Sequence, residues 1–147
     1  MSPAPEFAGP DEVEDAFYAA FEAADLDAMM RLWADDETIS CVHPGGSRLV
    51  GHDEIRESWR QIFGSSMRLR FHLGERRTLT DDNLAVHSVQ EEIEVSGQQN
   101  LRAIVAATNI YVLTDHGWRI WLHHASNAAT ESDEPEPDGD DPKPTLH

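Results

Sequence analysis

The main spacing of apolar residues along this chain changes at Gly64. Before Gly64 they recur every three to four positions, as in "DEVEDAFYAAFEAA", which is the period of a helix that faces a core. After Gly64 they alternate, as in "NLAVHSVQEEIEV" and "LRAIVAATNIYVL", which is the period of a strand with one buried face. Helices followed by strands, rather than interleaved with them, predict an α+β fold.

Three helices and five strands are predicted. The first helix opens with Asp11 and Glu14 in the arrangement of a capping box. The second begins at the potential cap Asp25 and extends to Trp33, and the third ends at Gly64. A short strand, "TISCVH", precedes the third helix, and four strands follow it as an antiparallel meander. The expected architecture is three N-terminal helices packed on one face of a curved, mostly antiparallel sheet.

Length and charge limit the organisation and the partners. The 147 residues predict one domain, residues 11–129, after a flexible N-terminal segment, residues 1–10. Residues 130–147, "TESDEPEPDGDDPKPTLH", lack apolar periodicity and predict a disordered acidic tail. The formal net charge of −17 repels phosphate backbones and anionic lipid, so we expect neither nucleic acid nor a membrane surface as a partner.

The compartment and the cofactor content are also constrained. No apolar run reaches the roughly 18 residues that span a membrane, and the N-terminus lacks a signal-peptide pattern, so we expect a cytoplasmic location. The single cysteine, Cys41, excludes an intramolecular disulfide. The eight histidines lack His-x-His and His-Glu-x-x-His spacing and predict no metal site, and no motif predicts a cofactor.

Three strings in this layout resemble the nuclear transport factor 2-like superfamily, and within it the SnoaL-like and ketosteroid isomerase-like families. They are "FYAAFEAADLDAMMRLWADD", "HPGGSRLVGHDEIRESW" and "DHGWRIWLHHAS". The resemblance covers residues 11–127 and implies a cone-like α+β barrel with an apolar pocket between sheet and helices. It also implies a homodimer formed through the exposed sheet face. This fold serves enzymes, binding modules and transport adaptors, so it does not decide the function.

The resemblance points to His43 and Asn109 as catalytic candidates. His43 stands where the ketosteroid isomerases have the aspartate that transfers the proton, and an imidazole also shuttles protons near neutral pH. Asn109 stands where they have a protonated aspartate, and its amide can donate to an oxyanion. Phe17 replaces their tyrosine on the first helix. Tyr18 is rotated by about 100° from Phe17, and we expect it to point elsewhere.

Each of these residues also has a structural interpretation. The His43 ring could cap the His-Pro-Gly-Gly turn through a backbone hydrogen bond, and Asn109 could satisfy backbone groups in "ATNIY". Cys41 shares its strand face with His43, which predicts either a place beside the pocket or an inert buried thiol.

The other expected pocket residues are mostly apolar. Trp33, Trp59 and Phe63 lie on core-facing helical stripes, which a cone-shaped pocket would share. In the last strand, strict alternation places His124 with the more apolar set, so we expect His124 rather than His123 to face inward. The expected ligand-binding set is Phe17, Trp33, Cys41, Trp59, Phe63 and His124.

Two functions fit these candidates. In the first, the protein binds a small, largely apolar carbonyl-type molecule and catalyses an isomerase- or cyclase-like proton transfer, with His43 as base and Asn109 as oxyanion donor. In the second, it is a non-catalytic ligand-binding or dimerisation module. The replacement of the isomerases' tyrosine by Phe17 favours this second function. The sequence does not identify the ligand.

Overall fold

Three helices pack on one face of a curved, six-stranded sheet in the computed structural model, which describes residues 6–96 and 102–128. The helices are α1 (Pro10–Ala23), α2 (Leu26–Met30) and α3 (His52–Phe63). The strands are β1 (Ser40–Val42), β2 (Leu49–Val50), β3 (Leu69–Thr80), β4 (Leu84–Val95), β5 (Arg102–Thr114) and β6 (Gly117–Asn127). The strand order is β2-β1-β6-β5-β4-β3, so the sheet is an open cone with edges at β2 and β3. The predicted α+β architecture is confirmed.

The short strand before α3 lies beside the last strand of the chain. β1 runs parallel to β6, with Cys41 opposite His123, and antiparallel to β2. The sequence does not predict β2, because two residues are too few to show a period. α2 ends at Met30 rather than at Trp33, because Trp33 forms a bridge with Ile120 of β6 instead of continuing the helix.

The alternation of side chains along β6 is interrupted at Trp121. Ile120 pairs with Tyr111 of β5, and Leu122 pairs with the neighbouring Ile110. Trp121 is therefore the extra residue of a β-bulge. A bulge moves the alternation by one position for every residue that follows it.

Because of this shift, His123 and not His124 faces the helices. His123 is 2% exposed and its ring centroid lies 4.8 Å from that of Phe17 on α1, whereas His124 is exposed. The prediction that His124 faces inward is wrong, since strict alternation holds only as far as Ile120.

The N-terminus of α1 differs from the predicted capping box. The helix begins at Pro10, after the N-cap Gly9, and no side chain caps it. Glu14 does not reach back to the helix end. It lies on the helix face that also carries Phe17, and it is fully buried. A residue read as a surface cap is thus part of the interior.

The described part of the segment predicted to be flexible is packed. The Trp118 backbone N–H donates to the Phe7 carbonyl at 3.0 Å, and the Arg119 guanidinium lies 5.6 Å from the Phe7 ring centroid. Residues 6–9 therefore lie against the start of β6.

Two further expectations concern the ends of the chain and its location. Residues 130–147, the predicted acidic tail, lie outside the described residues. Within the ranges that are described, no helix has the length and apolar character of a membrane span. The cytoplasmic location stays a prediction.

Candidate functional site

The space between the sheet and the helices, here called the cone interior, contains a group of buried polar side chains. All of them are at most 6% exposed. They come from α1 and from three adjacent strands, β4, β5 and β6. This polar cluster consists of Glu14, Tyr18, His87, Glu91, Asn109, Tyr111 and His123.

Glu14 is the anchor of the polar cluster. Its Oε2 accepts from the Tyr111 hydroxyl at 2.7 Å and from Nδ2 of Asn109 at 3.1 Å. Its Oε1 accepts from Nη1 of Arg76 at 3.0 Å and lies 3.0 Å from Nδ1 of His87. Burial opposes ionisation, but the contacts with His87, Tyr111 and Asn109 hold the pKa of Glu14 below its usual value. Glu14 is therefore an ionised carboxylate inside the protein.

The pKa of Glu91 is shifted in the opposite direction to that of Glu14. The Tyr18 hydroxyl donates to its Oε2 at 2.5 Å. Burial and the negative charge of Glu14 raise the pKa of Glu91 to about 7, and the hydrogen bond from Tyr18 offsets part of that rise. Two carboxyl groups whose surroundings move their pKa values apart are the arrangement that acid–base chemistry uses.

Tyr18 points into the cone interior, so the prediction that it points elsewhere is wrong. Its hydroxyl also accepts from Nδ2 of Asn109 at 3.3 Å. Burial and Glu91 raise its pKa above the usual value, so the phenol keeps its proton. Phe17 and Tyr18 both fit inside because the inward face of α1 is wide enough to include adjacent residues.

Asn109 links the two carboxyl groups to His123. Its Oδ1 lies 2.6 Å from Nδ1 of His123. An amide oxygen only accepts, so the ring proton of His123 is on Nδ1. Burial, with the nearby His43 and His124, lowers the pKa of His123 to about 3 and keeps the ring neutral. In this arrangement the Asn109 amide donates to other members of the cluster.

His43 lies at the other side of His123. Their ring centroids are 6.5 Å apart, and burial lowers the pKa of His43. Nε2 of His43 is 3.1 Å from the Ser58 hydroxyl and 3.6 Å from Sγ of Cys41. The ring is therefore held by side chains, and the predicted ring-to-backbone cap is not formed. Burial raises the pKa of Cys41 to about 12, so its thiol stays protonated.

Aromatic rings fill much of the remaining cone interior. Neighbouring ring centroids in this aromatic cluster are 4.5–6.1 Å apart. Its members are Phe17, Phe21, Trp59, Phe63 and Phe71. A cavity of about 70 Å³ lies at its outer end, lined in part by Phe21 and Phe63. Ligand pockets usually hold about 300 Å³ or more, so a ligand must displace some of these rings to enter.

The structure separates the ligand-binding candidates into three groups. Phe17, Cys41 and Trp59 are buried in the core beside His43 or His123. Phe63 is at the small cavity. Trp33 instead lines a surface groove of about 820 Å³ with Met30, Leu113 and Trp121, and His124 is exposed.

The sequence contains a weak signal for His87 and Glu91, which are not among the residues predicted for the site. His87 and Glu91 alternate with Ala85 and Val89 in the buried phase of β4. Polar side chains in that phase need partners inside the protein. The partner on α1, Glu14, is not recognisable because its position also fits a cap. Among the described residues, no three metal-binding side chains are arranged to hold an ion.

We expect Glu91→Gln to change how stability depends on pH. Because the folded protein holds the pKa of Glu91 at about 7, above its usual value of 4.5, Glu91 binds more protons in the native state between these pH values. Unfolding free energy therefore falls as pH rises through this window in the wild type. The variant lacks this titration, so its free energy of unfolding should not fall in this window. By the upper end of the window it should have gained up to about 3 kcal/mol relative to the wild type, at about 1.4 kcal/mol per pKa unit.

Urea unfolding at several pH values between 4.5 and 8 measures this difference. Glu92→Gln is the matched control, because its side chain lies on the outer phase of the same strand. Parallel pH curves for the wild type and Glu91→Gln would contradict the raised pKa of Glu91.

A family model and two solved structures match most of this chain. The model of the SnoaL-like domain matches residues 11–130. A candidate calcium/calmodulin-dependent protein kinase type II association domain from Thiobacillus denitrificans is 37% identical, with a TM-score of 0.80 over 85% of this chain and 99% of that one. A candidate dehydratase of the nuclear transport factor 2-like family from Streptomyces avermitilis is 30% identical, with a TM-score of 0.74 over 82% of this chain and 94% of that one.

A eukaryotic protein contains a similar segment. The F-box protein SKIP8 of Arabidopsis thaliana is 25% identical over 114 residues, which are 78% of this chain. The match covers 47% of SKIP8, so the chain corresponds to about half of that protein.

Proposed function

The chain belongs to the SnoaL-like domain family, within the nuclear transport factor 2-like superfamily, and on this premise we propose that it binds a small, largely apolar carbonyl compound in the cone interior and transfers a proton on it. The observation that carries the proposal is the Glu91–Tyr18 pair, a buried carboxyl group held by a phenol beside the ionised Glu14.

Glu91 is the proposed proton carrier. A carboxyl group with a pKa of about 7 is populated in both protonation states near neutral pH, which general acid–base catalysis requires. Glu91 would remove a proton from the carbon next to the ligand's carbonyl group and return it to the same or a neighbouring carbon. The electrons of the broken C–H bond form the enolate, and the returned proton restores the carbonyl compound.

The surrounding residues have supporting roles in this proposal. Tyr18 orients one oxygen of Glu91, and burial, assisted by the negative charge of Glu14, keeps the pKa of Glu91 high. Asn109 positions Tyr18 through its amide. His43 is the alternative proton carrier; its ring centroid lies 6.5 Å from that of His123, whose Nδ1 contacts Asn109.

Deuterium exchange tests the proposal. We expect the wild type to accelerate exchange of the protons next to the carbonyl group of 1-tetralone in D₂O by at least about 100-fold over buffer, the low end of general acid–base catalysis. Proton NMR follows the loss of that signal. His124→Gln is the control that should retain the rate, because His124 is exposed on the outer face.

A non-catalytic ligand-binding or dimerisation module is the second candidate function. Two observations favour it: the cavity of about 70 Å³ is small, and the Thiobacillus denitrificans relative is described as an association domain. The outer sheet face, with the partly buried Ile104, Ile110 and Leu122, is the proposed homodimer surface. Ligand binding or dimerisation without deuterium exchange would support this function over catalysis.

A further inference from the structure

The indole N–H of Trp59 is a buried hydrogen-bond donor in the cone interior. The Trp59 side chain is 0% exposed, and its Nε1 has no hydrogen-bond partner among the described residues. A buried donor without a partner lowers the stability of the fold, and folded proteins contain few of them. An acceptor from outside the chain, such as a ligand oxygen, would satisfy this donor.

Trp59 packs against two rings that line the small cavity. Its ring centroid lies 4.8 Å from that of Phe21 and 5.4 Å from that of Phe63, and both rings line the cavity of about 70 Å³. On its other side it contacts the His43 ring, with centroids 4.8 Å apart. A ligand that displaces Phe21 or Phe63 would meet the indole next.

The other donors nearby are already engaged. The amide of Asn109 donates to Glu14 and Tyr18, and the Tyr18 hydroxyl donates to Glu91. His87 also lacks a hydrogen bond of good geometry, but its ring nitrogens lie against carboxylates, 3.0 Å from Glu14 on one side. Trp59 is thus a buried donor beside the cavity-lining rings, and a hydrogen bond from it to a ligand oxygen would leave the polar cluster intact.

We propose that the indole N–H of Trp59 donates a hydrogen bond to the carbonyl oxygen of the bound ligand. The site then selects flat, apolar molecules that carry an oxygen acceptor over hydrocarbons of the same shape, because aromatic walls stack on flat ligands. The inference rests on the proposed function for the class of ligand. It replaces Asn109 by Trp59 as the donor to the ligand oxygen.

Indole NMR signals of the full chain test this assignment. The four tryptophans give four indole N–H signals, which single Trp→Phe variants assign. We expect 1-tetralone to shift the Trp59 signal downfield, and tetralin, which lacks the carbonyl group, not to do so. The Trp33 signal is the internal control, because its Nε1 is equally unpartnered but its side chain lines the surface groove.

Affinity gives a second measurement. Trp59→Phe should weaken 1-tetralone binding by about 3- to 10-fold, the value of one net hydrogen bond, and leave tetralin binding unchanged. A Trp59 signal that does not move with the ketone, or moves equally with both ligands, would overturn the proposal, and this holds even if Trp59→Phe does not fold. A Trp59 shift without deuterium exchange keeps the donor and refutes the catalytic function. Deuterium exchange with an unmoved Trp59 signal refutes the donor and keeps the catalytic function.

Discussion

Replacing Glu14 by alanine should lower the free energy of unfolding by about 3–5 kcal/mol, the range for removing one partner of a buried ionic group. The Tyr111 hydroxyl and the Asn109 amide would lose their acceptor in the core. Arg76, whose side chain is 38% exposed, would lose its carboxylate but could turn to solvent. The expected loss therefore comes mainly from the fully buried donors, which cannot reach solvent.

Urea denaturation at pH 7 measures this loss. Asp15→Ala is the matched control, because Asp15 is an exposed acid on the same helix, and substitutions of that kind usually change stability by about 0.5 kcal/mol or less. Glu14→Gln should fall between the two, since an amide can still accept from Tyr111. A loss below about 1 kcal/mol for Glu14→Ala would show that the polar cluster does not depend on this carboxylate.

The order of helices and strands could be predicted because it depends on apolar periodicity, which is local. The change of period at Gly64 separates the helices from the four-stranded meander, and both are present. The end of α2 at Met30 could not be predicted, because the bridge between Trp33 and Ile120 depends on residues almost ninety positions apart. β2 is two residues long and shows no period.

The site was predictable only in part. The resemblance places Phe17, His43 and Asn109, and all three lie around His123 in the structure. The sequence predicts the wrong face for His123, because the β-bulge at Trp121 carries no glycine or proline that would signal it. A shift of one residue in a strand exchanges the two faces, so every inference after the bulge changes with it.

The burial of Glu14 and Glu91 is also difficult to predict from the sequence. Glu14 fits both a helix cap and a buried anchor, and only the partners on β4 and β5 distinguish these roles. Glu91 lies in the buried phase of β4, but Glu92 and Glu94 share the strand, and acids in a strand are ordinarily read as solvent-facing. The polar cluster therefore emerges only when α1 is packed on the sheet.

Glu91→Gln should reduce the exchange of 1-tetralone protons by about 100- to 10,000-fold, the usual contribution of a general acid–base group. Glutamine has nearly the same size and can still accept from the Tyr18 hydroxyl, so ligand affinity should change little. In the wild type the exchange rate should rise with pH and level off above about 7, as Glu91 loses its proton and becomes a base. In the variant this pH dependence should disappear.

His43→Gln is the decisive comparison, because His43 is the base that the sequence resemblance implies. If Glu91 is the base, His43→Gln should keep most of the exchange and the pH profile of the wild type. If His43 is the base, that variant should lose the exchange, and Glu91→Gln should keep it. The pKa directions separate the two cases independently, since burial lowers the pKa of His43 and raises that of Glu91 to about 7. A rate that is already level well below pH 7 would therefore favour His43 over Glu91.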